Sequence, residues 1–390
     1  MRFSRLFLTF MCLTVPVFLG GVAGAMTPED VAARLFGAEV VDKAWFSNEG
    51  LASAVPHVIE ELQDTLGPLR SIAPCAEKCV ALFERGEVSF NIIVDVQDLI
   101  STILIDVPIL YATSMEEALE QFSELPGKIS IFVERDEEPI ANLDADSALA
   151  VGSAFKLAVL KALYNLIGAG KLEWDQVVLL KDEWGSLPSG KLHEWPIGSP
   201  ITLHTLASLM ISISDNTATD ALIDIVTRSS VEMISPRNRP FLTTREFFQF
   251  KHRDHGDLRD RYQEGNFDQR MSILNTLLEK PLPRLNELTV EPLHAFEWHF
   301  STRELCALMT DLQDLDVLQI NPGVARKTDW DAVSFKGGGD AGVVNLTTGL
   351  LAEDGTRHCV SATWNDDEAV DMETFAALYA SVLHQLRTAQ

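Results

Sequence analysis

The chain has 390 residues, 46 % of them hydrophobic, and a formal net charge of -26. That length is enough for two domains or one large one, each with a sizeable core. So acidic a surface repels nucleic acid and anionic membranes, which excludes both as expected partners, and solubility accounts for the acidity.

The first residues read as an export signal. Arg2 and Arg5 give a positive start, residues 6–19 an apolar run, and Ala23-Gly24-Ala25 a small-residue cleavage site. Residues 1–25 are therefore expected to be a signal peptide, with an uncleaved anchor as the alternative. The mature chain would start near Met26 with a charge of -26 − 2 = -28, because the lost segment carries two Arg and no acid. The expected location is periplasmic or secreted. No later run is long and apolar enough to span a membrane after cleavage.

Four cysteines follow Met26. Cys75 and Cys79 either bridge a tight turn or stay unpaired. Cys306, in an amphipathic helix, and Cys359, in a strand-like run, read as buried core residues. No Cys/His set has zinc spacing, so no metal and no cofactor are expected. His252 and His255, near Asp254 and Asp257, come closest, and their polar surroundings favour a solvated surface.

Thr27-Pro28-Glu29-Asp30 starts a helix, with Thr27 as cap and Pro28 at the first position. Helical periodicity runs through residues 28–37 and 56–65, and Leu66-Gly67-Pro68 breaks it. Residues 79–85 and 88–95 read as two strands joined at Gly86-Glu87. Helices followed by an antiparallel sheet make residues 26–125 a small α+β domain. Leu125-Pro126-Gly127 marks the boundary, and residues 126–390 form the second domain. There, residues 128–135 and 138–143 alternate as a strand pair, and a helix begins near Ser153. Residues 202–213 form a helix that runs directly into Ser214-Asp215-Asn216, and another helix resumes over 218–226. Residues 228–270 are charged, with Arg237, Arg239, Arg245, Arg253, Arg259 and Arg261, and read as an insertion or lid. A capping box at Ser301-Thr302-Arg303-Glu304 starts a helix over 302–312. Strands over 333–336 and 343–351 flank a glycine-rich turn, a further strand covers 358–363, and residues 372–386 form the terminal helix.

Three short elements carry the chemistry. Ser153-Ala154-Phe155-Lys156 puts a hydroxyl and an amine on one helical face, as a nucleophile and its base require. Ser214-Asp215-Asn216 follows after 214 − 153 = 61 residues, and Lys336-Gly337-Gly338 comes last. Alone, the first pattern occurs about once or twice by chance in a chain this long. As an ordered set the three resemble the motifs of the serine β-lactamase and penicillin-binding-protein superfamily. The run Ser214-Asp215-Asn216-Thr217-Ala218-Thr219-Asp220 is similar to class A β-lactamases. Stretches such as Phe83-Glu84-Arg85-Gly86-Glu87-Val88 and Pro240-Phe241-Leu242-Thr243-Thr244-Arg245-Glu246 look closer still to a group of such hydrolases. That group carries an N-terminal isomerase- or cystatin-like domain and includes a relative from clavulanic acid biosynthesis.

The resemblance implies an α+β fold, with an antiparallel five-stranded sheet flanked by helices and an all-helical subdomain. It implies a serine hydrolase of the β-lactamase type, acting on a small ester, amide or β-lactam. Ser153 would be the nucleophile, Lys156 its base, Ser214 a proton relay, and Lys336 a second cation. Asn216, Gly337, Gly338 and Gly339 would bind substrate, the acyl oxygen meeting the N–H groups of Ser153 and Gly339. The alternatives are a peptidase on peptidoglycan peptides, or a non-catalytic sensor using the same pocket. Two departures stand out. Gly337 replaces the Thr or Ser that would bind a substrate carboxylate, and Asp340 adds a negative charge nearby. The Glu-x-x-Leu-Asn water-activating loop is also missing. Its nearest counterpart is Leu282-Pro283-Arg284-Leu285-Asn286, while Glu232, Glu246 and Glu264 lack the flanking pattern and read as surface. Slow deacylation, or a different base, is the consequence expected.

Overall fold

The structure, a computed structural model, describes residues 26–75 and 78–388, so the expected signal peptide lies outside the described residues. The chain divides into two compact units. One comprises the described residues up to Ala118 together with those from Asp371 onward, and the other is Leu119–Val370.

In the first unit the helix Pro28–Phe36 begins as the sequence requires. The Thr27 hydroxyl accepts from Asp30 N at 3.1 Å, and the Asp30 carboxylate returns to the Thr27 backbone. That helix and Glu49–Leu66 bury Leu35, Phe36, Ile59 and Leu62 with Phe83 and Phe90 of an antiparallel sheet. Its strands run in the order Leu69–Ala73, Cys79–Phe83, Gly86–Val94, Ile100–Ile105, and Ile109–Leu110 also pairs with Gly86–Val94. The expected turn is shifted: Glu84 and Arg85 turn the chain, whereas Gly86 and Glu87 already pair with Leu110 and Ile109. Gly86 is a strand residue because a Cβ there would lie 2.3 Å from the Ile109 carbonyl oxygen. Cys75 and Cys79 are bridged. The terminal helix Met372–Thr388 reaches the short strand Ile109–Leu110, with Gln385 Nε2 donating to Ala112 O at 2.6 Å.

The second unit holds the expected five-stranded antiparallel sheet, in the order Ala332–Asp340, Val343–Leu351, Arg357–Asn365, Lys128–Arg135, Glu138–Leu143. Gly337, Gly338 and Gly339 lie within its first strand, not in a turn, and the chain reverses at Ala341 and Gly342. Side chains have period two along a strand, so Lys336, Gly338 and Asp340 share a face. The helices Lys156–Gly168, Leu203–Ser212, Asn216–Val226 and Thr302–Leu312 enclose one apolar core around Phe155, Leu160, Met210, Leu222, Trp298 and Leu305. Thr202, Asp215 and Ser301 cap the last three of these helices.

Two expectations are corrected here. Residues 228–270 are not a lid. They form Arg228–Ile234, Thr244–Lys251, Gly256–Glu264 and part of Phe267–Leu278, and they bury Phe241, Phe247, Phe250 and Tyr262 in the core. Some of their arginines bind carbonyl oxygens, as Arg245 does with Gly185 and Arg259 with Phe250 and His252, while Arg237 and Arg239 pair with Glu304 and Glu232. Cys306 and Cys359 are buried as expected, yet they also form a disulfide that ties the Thr302–Leu312 helix to the sheet. No described helix is long and apolar enough to cross a membrane.

Candidate active site

Gly152 starts a tight 3-10 turn, Gly152–Phe155, that leads into the helix Lys156–Gly168. Its φ of +49 suits glycine, and a Cβ there would lie 2.7 Å from Gly339 N. The turn is fixed from below by Phe155, whose ring stacks on Trp298 with centroids 3.7 Å apart. Half-buried Ser153 therefore precedes the α-helix proper, with its backbone N–H against the glycine strand. A Cβ on Gly338 would stand 2.6 Å from Ser153 N.

Ser214 lies between two helices with φ +56, a rare conformation for serine that Asp215 helps to hold. The buried Asp215 carboxylate accepts from Ala218 N at 2.8 Å, Lys191 N at 2.6 Å and Leu192 N at 2.8 Å. Gly190 makes room for it, since a Cβ there would come within 2.2 Å of its oxygen.

Lys156 is fully buried. Its Nζ donates to Ser214 O at 2.7 Å, Ser214 Oγ at 3.0 Å and Asn216 Oδ1 at 2.7 Å. Lys336 Nζ reaches the same Ser214 Oγ at 3.2 Å and also donates to Gly337 O. Thus Lys156, Ser214, Asn216 and Lys336 meet in one cluster, with Ser153 three residues before Lys156. Burial, then the Lys336 charge, depresses the Lys156 pKa well below that of an ordinary lysine. Burial lowers Lys336 to about 7. Two ammonium groups bonded to one hydroxyl oxygen repel each other, so this cluster favours a neutral amine, the form that accepts a proton.

Gly337 faces away from this cluster. A Cβ there would meet the Phe335 ring at 2.9 Å, and that ring is wedged against Gly323, so a hydroxyl-bearing side chain has no room. Two of the three glutamates weighed from sequence have structural partners. Glu246 is 1 % exposed, not a surface residue. It binds Arg228 at 2.6 Å and caps Thr243 N at 2.8 Å. Glu232 accepts from Phe241 N at 3.0 Å. Glu264 is exposed, and the counterpart loop at 282–286 carries a 66 % exposed Leu285. His252 and His255 stack on each other, and each uses Nδ1 on nearby backbone.

Sequence reasoning missed Asp220. It is buried within the Asn216–Val226 helix and pushed up to about 7 by burial, while it accepts from Thr244 N at 2.7 Å and Arg245 N at 2.8 Å. It lies six residues after Ser214 inside an apolar helix, and an acid in that position was the available signal.

Residues 113–241 match the model of the Beta-lactamase2 family, described as a beta-lactamase enzyme family. Among solved structures, a β-lactamase from Sphaerobacter thermophilus superposes with a TM-score of 0.50 at 18 % identity, over 71 % of this chain and 98 % of that one. PBP-A gives a TM-score of 0.48 at 15 % identity, over 70 % and 95 %. A β-lactamase from Chitinophaga pinensis gives 0.47 at 14 %, over 70 % and 98 %. Among curated proteins no sequence matches. The second unit has a β-lactamase-like hydrolase fold. Residues 113–241 are thus similar to a β-lactamase enzyme family, and the Sphaerobacter thermophilus structure shares the fold of the second unit.

Proposed function

We propose that the protein is an exported serine hydrolase that works through an acyl-enzyme on Ser153. Its substrates are small esters or amides, and β-lactams acylate it but leave slowly. Ser153 Oγ attacks the acyl carbon while neutral Lys156 takes its proton. The Ser153 and Gly339 N–H groups hold the developing oxyanion. Ser214, bonded to both lysines, passes a proton to the leaving group, which breaks the acyl bond. Asn216 orients Lys156 and the substrate amide. Water then hydrolyses the ester. That step is slow, because Glu232 and Glu246 are engaged elsewhere.

The observation that carries this reading is the meeting of Lys156 Nζ and Lys336 Nζ on Ser214 Oγ, at 3.0 and 3.2 Å. Intact-mass measurement after incubation with fluorophosphonate, activated esters and a panel of β-lactams tests it. Wild type gains one adduct per chain, and Ser153→Ala gains none. Equal labelling of both proteins refutes it, as does ordinary enzymatic turnover of nitrocefin for the slow-release part.

A further inference from the structure

Three consecutive glycines, Gly337, Gly338 and Gly339, lie in Ala332–Asp340, a strand at the edge of its sheet. An edge strand has a partner on one side only, and glycines supply no side chains to stiffen it. Yet Gly339 N–H must stay at a fixed distance from Ser153 N–H if the two are to bind one oxyanion.

The run is tethered at both ends. Before it, Lys336 Nζ bonds Ser214 Oγ at 3.2 Å. After it, both carboxylate oxygens of Asp340 accept from Lys251 Nζ, one of them at 2.7 Å. Lys251 is 5 % exposed and ends the helix Thr244–Lys251. Glu297, 7 % exposed and with neither carboxyl oxygen hydrogen-bonded, is buried close enough to Asp340 and Lys251 to feel both charges. Burial first, then the Asp340 charge, pushes its pKa well above the carboxylate range, which favours the neutral acid. One ammonium, one carboxylate and one neutral acid then leave no net charge.

The other end of the Thr244–Lys251 helix is held as well. Asp220 accepts from Thr244 N and Arg245 N, and Thr244 Oγ1 donates to Asn216 O at 3.3 Å. Eight residues span about 12 Å of helix. This helix is thus a strut from the Ser214-Asp215-Asn216 corner to the far end of the glycine strand.

We propose that Lys251 and Asp340 are positioning residues for acyl transfer: their ion pair, carried on the Thr244–Lys251 strut, holds Gly339 N–H in register with Ser153 N–H. The inference rests on the acyl-enzyme reading above.

The test is burst acylation by a p-nitrophenyl ester and by its thiono analogue, whose sulfur accepts hydrogen bonds poorly. Wild type is compared with Lys251→Met, Asp340→Asn, the double variant and Lys251→Arg, with Tm measured throughout. In the double variant, which leaves no unpaired charge, acylation by the oxo ester falls about 10- to 100-fold at unchanged KM. The thiono ester loses much less, and Lys251→Arg restores most of the rate. A double variant that acylates as fast as wild type overturns the proposal, and so does an equal loss with both esters. If wild type itself forms no acyl-enzyme, the reading beneath falls and takes this inference with it.

Discussion

Gly338→Ala is the substitution whose effect the geometry defines most sharply. A Cβ at this position would stand 2.0 Å from Val151 O, 2.6 Å from Ser153 N and 2.7 Å from Ala154 N, all backbone atoms of the nucleophile turn. Carbon–oxygen contacts settle at roughly 3.3 Å or more, so strand and turn would have to part by about 1.3 Å. Displacing reacting groups by about 1 Å costs on the order of 100-fold in rate. Overpacking costs about 1–3 kcal/mol, which for a domain of this size lowers Tm by roughly 2–4 °C per kcal/mol. The burst of p-nitrophenol from an activated ester, followed well below either melting point, separates the two effects. Near wild-type acylation in a folded Gly338→Ala protein would refute the reasoning, because the glycine strand would then not be seated on Ser153.

The pH dependence follows from Lys336. Its pKa falls from 10.5 to about 7 in the folded chain, so the fold binds fewer protons than the unfolded chain between those values. The stability this gives is complete above the unfolded value and is lost as pH falls through about 7. Acylation should rise as pH climbs through about 7, where the folded lysine pair sheds its second charge; a flat profile there contradicts the assignment. Glu246→Gln should cost about 3 kcal/mol by stranding Arg228, seen as a lower Tm, while Ser153 labelling per folded molecule stays unchanged. Replacing Cys306 and Cys359 with Ala opens a 53-residue loop and should cost about 4 kcal/mol in denaturant titrations, again without loss of labelling.

Much of the site was legible because its groups sit in short local patterns: Ser153 with Lys156 on one helical face, and Ser214 with Asn216 at a helix start capped by Asp215. The strand pair at 128–135 and 138–143 was legible from period-two alternation, whereas the five-stranded sheet followed from the family resemblance. What failed was non-local. Residues 228–270 looked like a lid because their arginines dominate the composition, yet several of those guanidinium groups bind carbonyl oxygens or carboxylates while Phe241, Phe247 and Phe250 carry the core. Glu246 looked like surface because its partner, Arg228, lies 18 residues away. Lys336-Gly337-Gly338-Gly339 read as a turn because glycine usually signals one. Here the glycines let an edge strand press against the Gly152–Phe155 turn, a contact that no local pattern encodes. Cys306 and Cys359, 53 positions apart, gave no local sign of pairing.

Peptide mapping of the protein quenched during reaction with a slow activated ester tests the central claim most directly. The account predicts a single acyl group on the peptide containing Ser153, absent from both Ser153→Ala and Lys156→Ala while each remains folded. Acylation at another residue, or undiminished acylation of Ser153 without the Lys156 amine, would contradict it.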